Sequence, residues 1–207
     1  MALRRISIFA LWAACFALAL CADHPVTTWV HQIGIDDALK NHWHFAAQLA
    51  RLPGNFLSFT LVVSAGLLLQ GRRWWRSAAF VFLSGVLTAT NSLVKWIVGR
   101  ARPFQGEVFA LHPFVGGLRG LGGANQSFPS GDVCLAAATA FSLMLLFPKG
   151  RWLLASIILL VAVERVAAGA HYPSDTVAAA ALGFVLARIS WQLCGRPRVP
   201  TRAAPLA

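Results

Sequence analysis

Apolar and polar positions alternate in long blocks along this chain. Six apolar runs stand out, at roughly Ile6–Ala22, Pro53–Gln70, Ser77–Val98, Val133–Phe147, Trp152–Ala170 and Thr176–Cys194. A helix needs about 20 apolar residues to cross the hydrocarbon of a bilayer, with a range near 17–25. The fourth run is short, and it is expected to start inside a reentrant or buried loop. Backbone in lipid has to satisfy its own hydrogen bonds, so the runs predict helices. No ten-residue alternating segments of a barrel occur. The pattern predicts an all-α integral membrane bundle of six transmembrane helices, a single domain over residues 1–207. No internal repeat is present.

The polar blocks set the orientation. Arg4 and Arg5, then Arg72, Arg73 and Arg76, then Lys149 and Arg151, then Arg196, Arg198 and Arg202 fall on one side. Short loops rich in Lys and Arg stay inside, so this side and both termini are expected to be cytoplasmic. The other side holds all the acidic residues (Asp23, Asp36, Asp37, Glu107, Asp132, Glu164 and Asp175) and all six histidines. The first run also has the shape of a cleavable signal peptide, with Arg4-Arg5 ahead of a stretch ending Leu20-Cys21-Ala22. On either reading the chain emerges outside at Asp23. In the first outer loop, Asp36–Leu52 mixes polar residues with Trp43, Phe45 and Leu49 and predicts a helix lying at the interface. The second outer loop, residues 99–132, carries Gly116, Gly117, Gly120, Gly122 and Gly123. It reads as a lid or substrate gate, or equally as a plain connector.

Composition agrees with the membrane reading. Of 207 residues, 57% are hydrophobic and 12% charged, with a mean hydropathy of +0.64. Soluble domains carry about 25% charge. A net charge of +11 would suggest nucleic acid in a soluble protein. Here the cations sit between apolar runs and form no continuous basic face, so no nucleic-acid partner is expected. Cys15, Cys21, Cys134 and Cys194 form no CxxC pair and read as small hydrophobes in helices.

Three polar clusters at the outer ends of the runs carry the chemistry. They are Lys95-x6-Arg102-Pro103, Pro129-Ser130-Gly131-Asp132 and Arg165-x5-His171-x3-Asp175. Arginine offers a planar fork that matches phosphate oxygens, and lysine adds a point charge. One such cation would read as a snorkelling side chain; three at matched depth do not. Pro129-Ser130-Gly131 precedes the fourth run, where a helix N-terminus presents free amides to an anion, with Ser130 as cap and hydroxyl donor. His171 has Asp175 four residues on, on the same face if the turn is helical. A carboxylate on one ring nitrogen frees the other for attack. One histidine and one aspartate among arginines make a poor divalent-metal site.

These residues resemble the type-2 phosphatidic acid phosphatase superfamily, which includes vanadium haloperoxidases and bacterial lipid phosphatases. Its pattern is K-x6-R-P, P-S-G-H and S-R-x5-H-x3-D. Lys95, Arg102, Pro103, Pro129, Ser130, Gly131, Arg165, His171 and Asp175 match it in order and spacing, and the motif core spans residues 95–175. The resemblance implies that His171 is the nucleophile of a phosphohistidine intermediate and that Asp175 orients it. Lys95, Arg102, Ser130, Gly131 and Arg165 would bind phosphate, with no metal or organic cofactor. Two positions depart from the pattern. Glu164 replaces a serine, which is expected to matter little. Asp132 replaces the histidine that protonates the leaving group. Three readings of Asp132 stand open. It is itself the acid; or the leaving group needs little protonation, as with a lipid diphosphate; or the protein is impaired and only binds phospholipid. His112, in the long loop, is a further candidate acid.

The expected function is therefore a lipid phosphatase acting at the periplasmic face of a bacterial inner membrane. Candidate substrates are a polyprenyl diphosphate, phosphatidic acid, phosphatidylglycerol phosphate or lipid A phosphates. Phosphotransfer to a second lipid and lipid binding without catalysis are the alternatives. A transporter is disfavoured, because the ionisable residues gather at one surface and no two matching halves with broken helices are present.

Overall fold

The computed structural model describes residues 2–41, 43–54, 60–103, 110–114, 126–197 and 199. Its helices are α1 (Ala2–Gln32), α2 (Ile35–Asn41), α3 (His44–Arg51), α4 (Leu61–Leu69), α5 (Trp75–Leu87), α6 (Asn91–Val98), α7 (Gly131–Leu146), α8 (Arg151–Ala167) and α9 (Pro173–Leu193). Among the described residues the extended pairings are two isolated bridges, Arg100 to Leu111 and Ala101 to Gln126. The all-helical expectation holds. Each of the six apolar runs contains a helix, and among the described residues three stretches are long and apolar enough to cross a membrane: Ala10–Gln32, Trp75–Val98 and Pro173–Leu193.

Three boundaries differ from the sequence expectation, each for a physical reason. The first helix does not end at Ala22 but continues to Gln32 through Pro25. Asp23 finds its partners inside the protein, where it is fully buried, so nothing forces the chain into water there. The third run is interrupted by a 3₁₀ turn at Thr88–Thr90. Ser84, Thr88 and Thr90 each turn a hydroxyl onto the carbonyl three residues back, at 2.6–2.7 Å, which tightens and bends a helix. The expected single helix over Asp36–Leu52 is two helices, α2 and α3, with Trp43, Phe45 and Leu49 exposed. Half of the glycine-rich second outer loop, residues 104–109 and 115–125 with all five of its named glycines, lies outside the described residues.

The centre of the bundle is α7. Its residues Val133, Cys134, Ala136, Ala137 and Ala140 pack against Leu154, Ile158 and Val161 of α8 and Ala179 and Leu186 of α9. Small side chains let the backbones close up. A Cβ added to Gly183 of α9 would lie 2.7 Å from the Ala137 Cβ and 2.7 Å from the Cys134 carbonyl oxygen. α1 leans on the outer side of α9. The large apolar residues point the other way: Leu18, Leu69, Trp152, Leu159 and Leu193 are exposed. Small residues between helices and large apolar ones outside is the arrangement that lipid favours, since lipid tails do not penalise an exposed leucine.

Candidate active site

Two chain reversals present the motif residues. α6 carries Lys95 in its last turn and ends at Gly99, which adopts a left-handed conformation with φ +61°. The Gly99 N–H closes on the Lys95 carbonyl at 2.7 Å, and its carbonyl accepts from His112 N–H at 2.9 Å. The chain then runs extended through Arg100 and Ala101 to Arg102. α8 carries Arg165 two residues before its end. Ala170 N–H reaches the Arg165 carbonyl at 3.1 Å and Gly169 N–H the Val166 carbonyl at 3.0 Å, with Gly169 at φ +64°. This double closure around a left-handed glycine is the Schellman turn. It delivers His171 to the mouth of α9, where Pro173 occupies the first helical position, as proline prefers.

A cavity of about 640 Å³ lies between these turns, lined among others by Lys95, Arg102, Gly131, Asp132, Arg165 and His171. Six of the eight motif residues expected at the site thus line one cavity. Ser130 and Asp175 lie behind it: Ser130 N–H donates to the Asp175 carbonyl at 3.2 Å, and both residues are fully buried. Ser130 precedes α7 but its hydroxyl makes no capping bond. That hydroxyl, the Arg102 Nε and the Asn91 Oδ1 are buried with no partner among the described residues. A buried donor left unpaired costs about 1–3 kcal/mol, so Ser130 and Arg102 stand ready to meet an acceptor. Lys95 Nζ is held on the Gln126 carbonyl at 2.7 Å.

His171 is buried, and its Nδ1–H donates to the Ser127 carbonyl at 2.8 Å. Asp175 Oδ2 stands 3.8 Å from the same nitrogen, beyond hydrogen-bond range. The expectation that Asp175 grips the ring directly is therefore corrected: the grip is relayed. Asp175 Oδ2 accepts from the Ser127 hydroxyl and, at 2.8 Å, from the Tyr172 N–H. Asp175 so fixes Ser127, whose carbonyl fixes the imidazole. It also supplies the third-position carboxylate that closes the start of α9. With the proton on Nδ1, the lone pair sits on Nε2. Burial pushes the His171 pKa below the ordinary imidazole value; Asp175 opposes this, and Lys95 and Arg102 reinforce it.

Behind Asp175 lies a network that the motifs did not announce. Arg100 is buried and donates from Nη1 to Asp175 Oδ1 and the Ser174 hydroxyl, both at 2.8 Å, and from Nη2 to Asp23 Oδ2 at 2.8 Å. Asp23 also accepts the Ser174 N–H at 2.9 Å and the Ser174 hydroxyl at 2.6 Å, so α1 caps α9 across the bundle. The Arg100 guanidinium lies 4.0 Å over the Tyr172 ring. Arg100 was legible only as one more loop cation. The sole signal was its place between the two motif cations.

The two departures from the family pattern also have places. Asp132 Oδ2 lies 3.2 Å from Arg165 Nη1 and 3.4 Å from Arg51 Nη2. Arg51, from the first outer loop, was not anticipated. It arrives because Gly54 packs flat on the start of α7, where a Cβ would lie 2.7 Å from the Asp132 Cβ. Glu164 was expected to matter little. Instead it is buried and takes Arg165 Nε and Nη2 on its two oxygens, each at 2.6 Å. His112 is exposed and is not among the cavity-lining residues.

The chain is 36% identical over 121 residues to a lipid A 1-phosphatase of Rhizobium etli, covering 56% of this chain and 49% of that protein. It is 39% identical over 103 residues to a lipid A 4'-phosphatase of Rhizobium leguminosarum, covering 46% and 44%. It is 30% identical over 102 residues to an undecaprenyl-diphosphatase of Sulfolobus acidocaldarius, covering 48% and 46%. The chain spans about half the length of the curated relatives it matches. The crystal structure of a transmembrane PAP2-type phosphatidylglycerolphosphate phosphatase from Bacillus subtilis shares the fold. Its TM-score is 0.63 at 19% identity, over 92% of this chain and 96% of that one. Residues 74–198, more than half of the chain, match the PAP2 superfamily, and the chain belongs to that superfamily.

Proposed function

We propose that this protein is an integral membrane lipid phosphatase that works through a phosphohistidine. The observation that carries the reading is a buried imidazole whose Nδ1 is held by the Ser127 carbonyl, which leaves the lone pair on Nε2, lining the same cavity as Lys95, Arg102 and Arg165. Nε2 attacks phosphorus, and the bond to the leaving oxygen breaks. Lys95, Arg102, Arg165, the Ser130 hydroxyl and the Gly131 amide hold the phosphoryl oxygens and offset their growing charge. Water then attacks the phosphohistidine, releasing inorganic phosphate and restoring the ring. Asp132 lines the cavity and is the group placed to serve the leaving oxygen.

The same reading places six helices across a bacterial inner membrane, with α3 at the outer interface. Arg76, at the start of α5, and Cys194, at the end of α9, line a second cavity away from the motif residues. The positive-inside rule then puts the candidate site on the periplasmic side. Substrates are drawn from lipid phosphates and diphosphates of the kinds named for the relatives. Impairment or phosphotransfer is the second reading, favoured by one observation: Asp132 is engaged by Arg165 and Arg51 instead of being free.

The test is phosphate release by the purified chain from a panel of lipid phosphates and diphosphates, with acid-labile trapping of a phosphorylated histidine. Release and trapping are expected, and His171→Ala should abolish both. Activity that survives that change would remove the mechanism. Phosphate passing to a second lipid and not to water would favour the transferase.

A further inference from the structure

The two positions that depart from the family pattern meet on one side chain. Arg165 places Nε and Nη2 on Glu164, at 2.6 Å each, and Nη1 at 3.2 Å from Asp132. Each of the three guanidinium nitrogens therefore faces a carboxylate oxygen. Glu164 and Arg165 are both buried, so that pair is shielded from water; the Asp132 side chain is 31% exposed and faces the cavity. Neighbouring residues on a helix do not ordinarily face each other. The Glu164–Arg165 chelate requires the arginine to fold back along its own turn, which fixes the plane of the guanidinium. One corner, Nη1, is left for the cavity. Asp132 occupies it, together with a contact to Arg51 at 3.4 Å. Lys95 and Arg102 line the same cavity as Asp132.

We propose that Glu164 is a positioning residue for Arg165, and that Asp132 is a built-in competitor for phosphate at Nη1 and thereby sets the affinity of the site. This rests on the phosphate-handling reading above and adds to it a device that sets the overall affinity for anions. An incoming phosphoryl group reaches Nη1 only by displacing a carboxylate that is tethered to the site and therefore always present. A site of clustered cations at a bilayer surface is surrounded by phosphodiester head groups, and its own product is phosphate. An internal carboxylate lowers the occupancy of all such anions equally. Weak binders drop out, while a substrate that also gains contacts from its lipid portion still enters.

Isothermal titration of the detergent-solubilised full chain with inorganic phosphate tests this without requiring turnover. Asp132→Asn should tighten phosphate binding on the order of tenfold, the equivalent of one charge-assisted contact released. Asp132→Ala should move in the same direction, which guards against an effect peculiar to the amide. In a Glu164→Gln background the gain should shrink to about threefold or less, because groups sharing one guanidinium couple. Unchanged or weaker phosphate binding in both Asp132 variants would overturn the proposal. A gain of equal size in the Glu164→Gln background would overturn the role of Glu164. Phosphate binding that tightens as expected in a chain that hydrolyses no lipid would sustain this inference and sink the hydrolase reading. Unchanged binding in a chain that does hydrolyse would do the reverse.

Discussion

Replacing Arg100 by methionine tests the deepest part of the site. The side chain is 4% exposed and bridges two carboxylates, Asp23 and Asp175, that are each 0% exposed. Methionine fills a similar volume but leaves both anions without their cation. Breaking a buried ion pair from one side costs about 3–5 kcal/mol. For a chain of this size each kcal/mol moves the melting temperature by about 2–4 °C, so the variant should melt roughly 6–20 °C lower in detergent. The catalytic effect follows from the relay. Asp175 positions Ser127, and the Ser127 carbonyl positions His171. A misplacement of about 1 Å at a reacting group costs on the order of a hundredfold in rate, so kcat should fall by about that factor while KM changes little. Adding Asp23→Asn to Arg100→Met removes one uncompensated anion. That double variant should regain part of the melting temperature but none of the kcat, because Asp175 is still unanchored. Melting within about 2 °C of the parent, with kcat intact in Arg100→Met, would refute the claim that this network holds the nucleophile.

Protonation of His171 gives a second handle. Its pKa lies below the ordinary 6.5, so kcat/KM should stay level through pH 6.5 and decline only at more acid pH; a limb centred above 6.5 would contradict the burial argument. The same histidine binds fewer protons folded than unfolded, so its stabilising contribution is present above pH 6.5 and lost as pH falls through the lower, folded value, which a melting series checks. Asp132→Asn should reduce kcat on a phosphate monoester more than on a lipid diphosphate, whose leaving group needs less protonation; equal losses would remove Asp132 as the acid. Gly99→Ala should cost more than Gly169→Ala, at least about 1 kcal/mol each for the left-handed backbone, because a Cβ at Gly99 would also fall 1.9 Å from the His112 carbonyl oxygen. Chemical or thermal denaturation of the two variants gives the comparison.

How much of this was legible in the sequence depends on how each residue is partnered. The helices were legible because lipid-length apolar runs leave the backbone one solution. The cavity cations Lys95, Arg102 and Arg165 were legible through spacing. Arg100 and Asp23 were not, because their partners lie 75–77 positions away in the chain, or 151 for Asp23 and Ser174. No local pattern encodes such a pair. The end of the first span was misplaced for the same reason: a charged residue usually marks the water boundary, and Asp23 does not, because its counter-charge is inside. Asp175 lies near His171, where its spacing put it, but at 3.8 Å it does not make the direct bond expected. The carboxylate is already engaged by Arg100, Ser127 and Tyr172. Glu164 was expected to matter little as a replacement for serine, and helix spacing does not announce its bonds to Arg165, the next residue in the chain.

The length of the gaps inside the motif pattern has a physical cause in this chain. Lys95 and Arg165 each sit in the final turn of a helix, and each is followed four residues later by a glycine in the left-handed region, Gly99 at φ +61° and Gly169 at φ +64°. In both cases the backbone carbonyl of the cation takes part in closing the turn: Lys95 accepts from Gly99 N–H, and Arg165 from Ala170 N–H. The residue that reaches into the cavity is thus the same residue whose carbonyl ends its helix. One extra residue before either glycine would rotate the cation by about 100° around the helix axis and withdraw it from the cavity. The distance from each glycine onward is fixed as well. An extended step brings Arg102 back beside Lys95, and the Schellman turn sets His171 at the start of α9. Phosphate binding and nucleophile placement are therefore not separate features of this bundle. Both are read out from where two helices stop, and a change in either stop should disturb cation and imidazole together.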